Sequence, residues 1–278
     1  MQEINYPPYS VLLSVYFKEK PEFLKQALDS MFNQTVKPDE VVLVEDGPLT
    51  EELYAVLNEY TEQYPEVFKR VVNETNLGLG KALNRGLEEC KNELVARMDT
   101  DDVSVSDRCE KQLKIFIETP NVDVVGANIA EFIESPEETV SVRKVPSTHE
   151  EICAYLKKRC PFNHVAVTFK KSAVIKAGGY IDWHYNEDYY LWIRMYLAGC
   201  IFANINENLV NVRVGKEMYA RRGGRKYYTS EKNLFKYMYK HKIISWTAYQ
   251  KAKFIRFVVQ VLMTNRTRQW FFKKFARN

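Results

Sequence analysis

The chain has 278 residues with 46% hydrophobic and 13% aromatic content, so it can bury a sizeable core and is not globally disordered. It contains no apolar run of about eighteen residues and no basic-then-apolar N-terminus, which argues against a membrane span and a signal peptide. The net charge of +4 divides unevenly: residues 1–215 hold 23 Lys and Arg against 34 Asp and Glu, whereas residues 216–278 hold 17 against 2. We therefore expect a cytoplasmic α/β domain followed by a basic appendage. Five scattered cysteines without a Cys-x-x-Cys pair are expected to be reduced packing residues: Cys90, Cys109, Cys153, Cys160 and Cys200.

The first hundred residues alternate between strand and helix patterns. Residues 9–16 form an apolar run typical of a strand covered on both faces, and residues 21–34 place apolar side chains at helical spacing. A second apolar run over residues 41–44 completes a strand–helix–strand unit, which predicts a parallel sheet. The further predicted elements are a helix over 50–63, a strand near 70–72, a helix over 81–90 and a strand over 94–98.

Three carboxylates follow the last of these strands within four positions. Asp99 and Asp101 lie on the same side of an extended backbone, because side chains alternate along a strand. Hard oxygen ligands at this spacing suit Mg²⁺ or Mn²⁺, which keep open positions for substrate phosphates. The alternative is an acidic turn, completed by Asp102, that caps the next helix.

Polar side chains also follow the other predicted strands. In open α/β sheets, ligands collect at the carboxyl ends of the strands. Tyr16 could stack on a base, and Asp46 could accept a hydrogen bond from a base N–H. Lys81 could reach a phosphate from a Gly-x-Gly loop that begins at Gly78, although this loop lacks a complete dinucleotide or Walker pattern. Each of these residues also fits a structural role, so their joint placement carries the prediction.

Several motifs stand in one order along residues 8–215. They are Ser10–Tyr16, Gln34-Thr35, Glu40–Gly47, Asn76–Gly86, Ala96–Asp102, Asp107–Gln112, Phe162–His164, Gly178–Tyr180 and Asn186–Trp192. Together they resemble the family 2 glycosyltransferases of bacterial cell-surface and capsular polysaccharide synthesis. The resemblance implies the GT-A fold, an α/β, Rossmann-like and mostly parallel mixed sheet flanked by helices, over residues 1–215. Residues 216–278 would then form a basic amphipathic helical extension.

The resemblance also implies roles for individual residues. The nucleotide-sugar donor is expected to contact Ser14, Tyr16, Asp46, Lys81, Arg97, Asp99 and Thr100. Asp99 and Asp101 would bind Mn²⁺ or Mg²⁺ on the diphosphate, and Asp188, with Glu187 beside it, would supply the catalytic base. Glu45 departs from the family, which often has an aspartate there, so its role is expected to be smaller.

These assignments fit the chemistry of sugar transfer. A metal can neutralise the leaving diphosphate, and a carboxylate can take the proton of the attacking hydroxyl, so that one displacement inverts the anomeric carbon. Glu187 and Asp188 also fit the ordinary acids of a helix N-terminus. His164, before a strand-like stretch over 165–169, and Trp183, in an aromatic neighbourhood, are candidate acceptor contacts. A structural role for His164 is at least as well supported.

The predicted function is transfer of one sugar from a nucleotide-diphosphate sugar to a glycan hydroxyl. UDP is favoured as the nucleotide because Asp46 suits the uracil N–H. The chain lacks the several spans and the Gln-x-x-Arg-Trp motif of processive synthases, so we expect one transfer per encounter with a lipid-linked acceptor in surface polysaccharide assembly. A non-catalytic sugar-nucleotide-binding protein is the alternative. The sequence does not identify the sugar, the linkage or the oligomeric state.

The basic extension has a helical pattern over about 229–263 and ends in aromatics interleaved with cations over 270–277. Such helices lie in anionic membrane interfaces, so we expect peripheral attachment to the inner face of the cell membrane. One alternative is a helical hairpin packed on the catalytic domain. Another is binding of single-stranded nucleic acid, which the acidic residues 1–215 disfavour, so no nucleic-acid partner is expected.

Overall fold

The computed structural model describes residues 5–215, 223–264 and 267–268. The strands of this part of the chain are β1 (Tyr9–Val15), β2 (Glu40–Asp46), β3 (Phe68–Asn73), β4 (Leu94–Arg97), β5 (Val103–Ser104), β6 (Val124–Phe132), β7 (Ser141–Arg143), β8 (Thr168–Lys170) and β9 (Phe202–Arg213). Its α-helices are α1 (Pro21–Phe32), α2 (Glu51–Gln63), α3 (Leu79–Glu89), α4 (Arg108–Glu118), α5 (His149–Leu156), α6 (Lys171–Lys176), α7 (Glu187–Leu197), α8 (Arg225–Lys240) and α9 (Trp246–Phe257). A 3₁₀ turn covers His164–Ala166, and a π-helical segment covers Val258–Leu262.

The strands form one mixed sheet in the order β3-β2-β1-β4-β8-β6-β9-β5, and β7 pairs with β6 outside this path. Strands β1 to β4 are parallel to their neighbours in this group, whereas β8 is antiparallel to both β4 and β6. Strands β6 and β9 are again parallel. The predicted α/β architecture with a mixed sheet is confirmed, and its parallel part is the strand–helix–strand region that the sequence indicated.

The core lies on both faces of the sheet. Val11 and Leu13 of β1 pack into a cluster with α1, α2 and α4, whereas Leu12 packs into a second cluster with α3 and α7. All three side chains are fully buried. A strand covered on both faces has no polar side to present, which explains its continuous apolar sequence.

Helix α3 lies unusually close to the sheet at Gly86. A methyl group at this position would overlap the side chains of Leu12 on β1 and Val44 on β2. Because protein interiors are close-packed, only glycine allows α3 to approach the strands whose ends carry the predicted donor residues.

Two predicted elements differ from the structure. The stretch 165–169 becomes strand only at Thr168, because Ala166 N–H donates to Asn163 O (2.8 Å) and closes the 3₁₀ turn before it. The helical pattern over 229–263 divides into α8 and α9. Lys242 between them has a left-handed backbone (φ +58°), and the Ser245 hydroxyl caps α9 by accepting from Ala248 N–H (3.1 Å).

The first helix of the basic extension packs on the rest of the chain. Leu234, Phe235 and Met238 of α8 are buried in the same cluster as the side chains of α7. Among the described residues, no helix has the length and apolar character needed to cross a bilayer. The division of the chain at residue 215 stays a prediction.

Candidate active site

Strands β1, β2 and β4 end at the same edge of the sheet. Ser14 is the penultimate residue of β1, Asp46 is the last residue of β2, and Asp99 follows β4 by two positions. The ring of Tyr16 is exposed just after β1 and packs edge-on against Phe17. This edge is where open α/β sheets bind ligands.

The acidic turn after β4 brings three carboxylates together. Asp99, Asp101 and Asp102 each have a carboxylate oxygen within 4.8 Å of the other two. Helix capping, the alternative considered for this turn, is wrong: the turn leads into β5, and the N-cap residue of α4 is Asp107. Asp102 is buried and accepts from Arg213 N–H (2.8 Å), so it anchors the turn to β9. Asp99 and Asp101 remain less buried and available to a cation.

The electrostatics of this turn favour a bound cation. Burial, followed by the neighbouring carboxylates of Asp99 and Glu19, raises the pKa of Asp101 to about 7. A divalent cation would remove this repulsion, and oxygen donors are the ligands that Mg²⁺ and Mn²⁺ prefer. The residues present therefore fit a metal at Asp99 and Asp101.

Arg97 is a buried cation whose charge reaches both groups of predicted site residues. Its Nη1 forms an ion pair with Asp99 Oδ1 (2.5 Å). Burial lowers the pKa of this guanidinium, but Asp99, Tyr180 and Asp102 together outweigh burial and leave the pKa above its ordinary value. The charge of Arg97 also lowers the pKa of Asp101 and of Glu187, in opposition to the burial that raises both. Arg97 thus acts on both acidic groups.

Asp46 holds the glycine loop in place. Its two carboxylate oxygens accept from the backbone N–H groups of Leu77 (2.8 Å) and Gly78 (3.0 Å), and Asn73 Nδ2 donates to Oδ1 (3.1 Å). Each carboxylate oxygen has two lone pairs, so capacity for a base N–H remains. Lys81, in the first turn of the helix after this loop, is exposed.

Thr100 connects the acidic turn to the first strand. Its hydroxyl donates to Glu19 Oε2 (2.8 Å) and lies 3.5 Å from Ser14 O. The Thr100 side chain is buried, so its described contacts are structural. Glu19 had no signal in the sequence, because an isolated glutamate after a strand is common.

Glu187 and Asp188 form the first turn of α7. Burial and then the Asp188 charge raise the pKa of Glu187 to about 7, and burial also raises the pKa of Asp188. The Cys160 thiol donates to Asp188 Oδ2 (3.6 Å), and Arg143 Nη2 donates to Cys160 O (3.1 Å). Cys160 is a free thiol that packs against the core, as predicted, and it also contacts the predicted catalytic base. A carboxylate with a pKa raised toward neutrality is suited to proton transfer.

The residues predicted to bind the donor and those predicted to bind the acceptor are connected through α3 and Tyr180. Asn84 of α3 accepts from Tyr180 N–H (2.7 Å), and its amide donates to Tyr180 O. The Tyr180 hydroxyl lies 2.9 Å from His164 Nε2, and burial lowers the pKa of His164 well below its ordinary value. His164 is therefore neutral and contacts Tyr180. Tyr180 belongs to the Gly178–Tyr180 motif, but the sequence did not indicate a role for it.

Trp183 lies beside α7 and contacts α8. Its Nε1 donates to Ser230 O (3.2 Å), and its ring packs on Tyr190 with centroids 4.2 Å apart. Trp183 also lines a groove of about 490 Å³ together with His184 and Arg225. Trp183 thus has one structural hydrogen bond and one side open to a groove.

Arg213 is a further residue that the sequence did not indicate. Its guanidinium Nε donates to Asp101 O (3.2 Å), and the group stacks on the rings of Phe23 (3.7 Å) and Phe132 (4.5 Å). These contacts fix the backbone of the acidic turn from β9, more than a hundred residues away along the chain.

The chain matches a family model and is similar to named glycosyltransferases. The family model described as Glycosyl transferase family 2 matches residues 10–178. The chain is 44% identical, over 82% of its length and 84% of the relative, to the amylovoran biosynthesis glycosyltransferase AmsE of Erwinia amylovora. It is 38% identical, over 98% of its length and 97% of the relative, to a UDP-Gal:alpha-D-GlcNAc-diphosphoundecaprenol beta-1,3-galactosyltransferase of Escherichia coli.

Solved structures share the fold at low sequence identity. The mannosyltransferase PcManGT from Pyrobaculum calidifontis, in complex with GDP-Man and Mn²⁺, has a TM-score of 0.64 at 16% identity, covering 98% of this chain and 76% of that one. TarS 1–349 of S. aureus, in complex with UDP-GlcNAc, has a TM-score of 0.66 at 16% identity, covering 97% of this chain and 76% of that one.

Proposed function

Because this chain belongs to glycosyl transferase family 2, and so is a glycosyltransferase of polysaccharide biosynthesis, we propose that it is a metal-dependent, inverting and non-processive enzyme. It moves one sugar from a UDP-sugar to a hydroxyl of a lipid-linked glycan. The observation that carries this proposal is that the charge of Arg97 acts on two acidic groups, Asp99 with Asp101 and Glu187 with Asp188.

The donor diphosphate binds at the acidic turn. Asp99 and Asp101 would hold Mn²⁺ or Mg²⁺, which when bound neutralises the leaving diphosphate as a Lewis acid. A fold neighbour solved with GDP-Man and Mn²⁺ supports this assignment. Arg97 forms a 2.5 Å ion pair with Asp99 and so holds this carboxylate at the acidic turn.

The nucleotide lies over the ends of β1 and β2. Tyr16 offers an exposed ring for the base, Asp46 keeps one free lone pair, on Oδ2, for a base N–H, and Lys81 follows the loop that Asp46 holds. UDP is the proposed nucleotide because TarS was solved with UDP-GlcNAc and the E. coli relative is named for UDP-Gal.

Asp188 accepts the proton of the attacking hydroxyl. As the new bond forms from the acceptor oxygen to the anomeric carbon, the bond from that carbon to the diphosphate oxygen breaks, and UDP leaves with the bonding electrons. The hydroxyl proton goes to Asp188, whose orientation is fixed by the Cys160 thiol. Attack opposite the leaving group inverts the anomeric configuration.

The acceptor is a sugar diphosphate on a lipid, as the name of the E. coli relative states for that enzyme. Similarity over almost the whole of both chains supports this choice. His164 and Trp183 are the proposed contacts on the acceptor side. A lipid-linked acceptor brings the protein to the inner face of the cell membrane as a peripheral protein.

Transfer to a short-chain N-acetylglucosamine diphosphate lipid tests the proposal. We expect UDP release and a new β-linked product from one UDP-sugar of a panel, with activity lost on chelation and restored by Mn²⁺. Asp101→Asn should weaken UDP binding and turnover together, whereas Glu62→Gln, an exposed carboxylate on α2, should leave both unchanged. Chelator-resistant transfer would contradict the metal assignment, and absence of transfer from every UDP-sugar would contradict the donor.

A further inference from the structure

Helix α9 presents apolar side chains to solvent. None of its residues is buried, and Phe254 is 68% exposed, Trp246 57% exposed and Leu262, just beyond the helix, 63% exposed. Ile255 and Phe257 are also exposed. Large apolar side chains in one continuous patch mark an interaction surface, whereas isolated ones do not.

Three of these side chains lie on one side of the helix. Trp246, Phe254 and Phe257 are spaced by eight and three residues, which places them within one face of an α-helix. The opposite side faces the protein: Tyr249 and Ala252 pack against the core that α7 and α8 share. We call the solvent side of α9, made of Trp246, Phe254 and Phe257, the outer face.

The orientation of α9 is fixed by polar contacts as well. Arg256 pairs with Glu231 of α8 (3.3 Å), stacks on the Phe235 ring (3.8 Å) and donates to Lys158 O (3.1 Å). The outer face therefore cannot turn inward by simple rotation of the helix, since Arg256 and Tyr249 would have to leave their partners.

The described part of the extension that carries the outer face is positively charged. Residues 223–264 and 267–268 contain ten Lys and Arg against one acid, Glu231, which is already paired with Arg256. Lys251 of α9 is exposed, as are Lys240 and Lys242 before this helix. Aromatic and aliphatic side chains between cations match an anionic bilayer interface, where apolar groups enter the acyl boundary and cations remain among the headgroups.

We propose that the outer face of α9 is embedded in the interface of an anionic lipid bilayer, with its flanking lysines on the headgroups. The preference for a bilayer over a protein partner rests on this charge pattern and on the proposed lipid-linked acceptor. The contact also fixes the position of α7, which carries the proposed catalytic base, relative to the bilayer. Ser230 of α8 joins the extension to this helix, because it accepts from Trp183 and from Asn186, the N-cap residue of α7.

Vesicle sedimentation of the full chain tests this proposal. We expect the protein to bind vesicles of phosphatidylglycerol and phosphatidylcholine and to bind pure phosphatidylcholine weakly. The double variant Trp246→Ser/Phe254→Ser should lower the affinity for anionic vesicles at least tenfold. The matched control, Val72→Ser/Ile175→Ser, removes two equally exposed apolar side chains elsewhere and should bind like the unmodified protein.

A second measurement separates insertion from simple charge attraction. Brominated lipid should quench tryptophan fluorescence of the unmodified protein, and Trp246→Phe should lose part of that quenching while still binding vesicles. Transfer to the short-chain N-acetylglucosamine diphosphate lipid, without vesicles, should be the same in all of these variants. A failure of that assay in the unmodified protein would contradict the proposed function but not the vesicle result.

Three results would overturn the inference. The first is binding of the outer-face variant to anionic vesicles with unchanged affinity. The second is self-association of the unmodified protein that the outer-face variant abolishes, which would assign this face to a second copy. The third is displacement of the protein from vesicles by an oligonucleotide together with loss of oligonucleotide binding in the outer-face variant.

Discussion

The donor and acceptor sides of this site are built in different ways. On the donor side, Asp46 and Asp99 lie where β2 and β4 end, two parallel strands that both pair with β1. Backbone N–H groups hold Asp46, and the Arg97 guanidinium holds Asp99. On the acceptor side, Asp188 lies in the first turn of a helix and is fixed by Cys160, a side chain from a separate segment. The donor side depends on the register of the sheet, whereas the acceptor side depends on packing between distant parts of the chain.

The largest effect that would separate the two sides is expected from Asp188→Asn. Loss of a general base lowers turnover by about 10²- to 10⁴-fold. Because Asp188 belongs to the acceptor side, the dissociation constant of UDP with Mn²⁺ should stay within about twofold. Single-turnover kinetics and calorimetric titration measure the two quantities. Near-normal turnover would move the base to Glu187.

Asn84→Ala tests whether the two sides are mechanically connected. The change removes both partners of the Tyr180 backbone and should lower the free energy of unfolding by about 1–3 kcal/mol. Turnover should fall more than UDP affinity, because Tyr180 contacts His164 on the acceptor side. Arg85→Ala, an exposed change on the same helix, serves as the control for both measurements. Equal loss of UDP binding and turnover would contradict the connection.

The pH dependence of stability should also differ between the sides. The pKa of Asp101 and of Glu187 is raised to about 7, so protonation of these groups stabilises the metal-free fold below about pH 4. That stabilisation is lost as pH rises through about 7, by on the order of 2 kcal/mol for each group. Mn²⁺ should offset the loss due to Asp101 only. Thermal unfolding from pH 5 to 8 with and without Mn²⁺ measures this.

Two variants separate the contributions of Asp101 and Glu187 to the pH dependence of stability. Asp101→Asn should reduce the loss of stability in the absence of metal and remove the response to Mn²⁺. Glu187→Gln should reduce the loss with or without metal. An identical response of both variants to Mn²⁺ would contradict the assignment of the metal to the donor side.

The smallest effect is expected from Cys160→Ala. The thiol hydrogen bond lowers the pKa of Asp188 against the burial that raises it, so its removal should shift the acidic limb of the pH–rate profile toward higher pH. Turnover at high pH should fall only a few fold. Cys153→Ala, whose thiol contacts His149, should leave the profile unchanged. An unshifted profile for Cys160→Ala would reduce this residue to a packing role.

The difference between the two sides also explains how much of the site could be predicted from the sequence. The edge formed by Ser14, Asp46 and Asp99 could be predicted, because strand patterns are local and parallel strands end together. Arg213 could not be predicted, since it reaches the acidic turn by pairing of strands far apart in sequence. The contact of the Cys160 thiol with Asp188 could not be predicted for a similar reason: a scattered cysteine gives no sign of the carboxylate it will meet. The roles of the site residues stay predictions.

The helical extension was predicted as one pattern with alternative partners. In the structure its first helix packs on the rest of the chain, whereas the second leaves one side exposed. The periodicity of apolar residues predicts helix in both, but it does not distinguish a face that packs on protein from a face that stays outside. Burial of Leu234 and exposure of Phe254 could be resolved only by the tertiary arrangement.

The hydrogen bonds between Ser230 and the residues before α7 also matter for the exchange of parts between relatives. A hybrid enzyme that joins residues 1–215 of one glycosyltransferase to the extension of another would retain the donor strands of the first. It would, however, place a foreign α8 against Trp183 and Asn186, the residues that lead into Glu187 and Asp188. Recombination that preserves acceptor choice therefore has to inherit α7 and α8 as one unit.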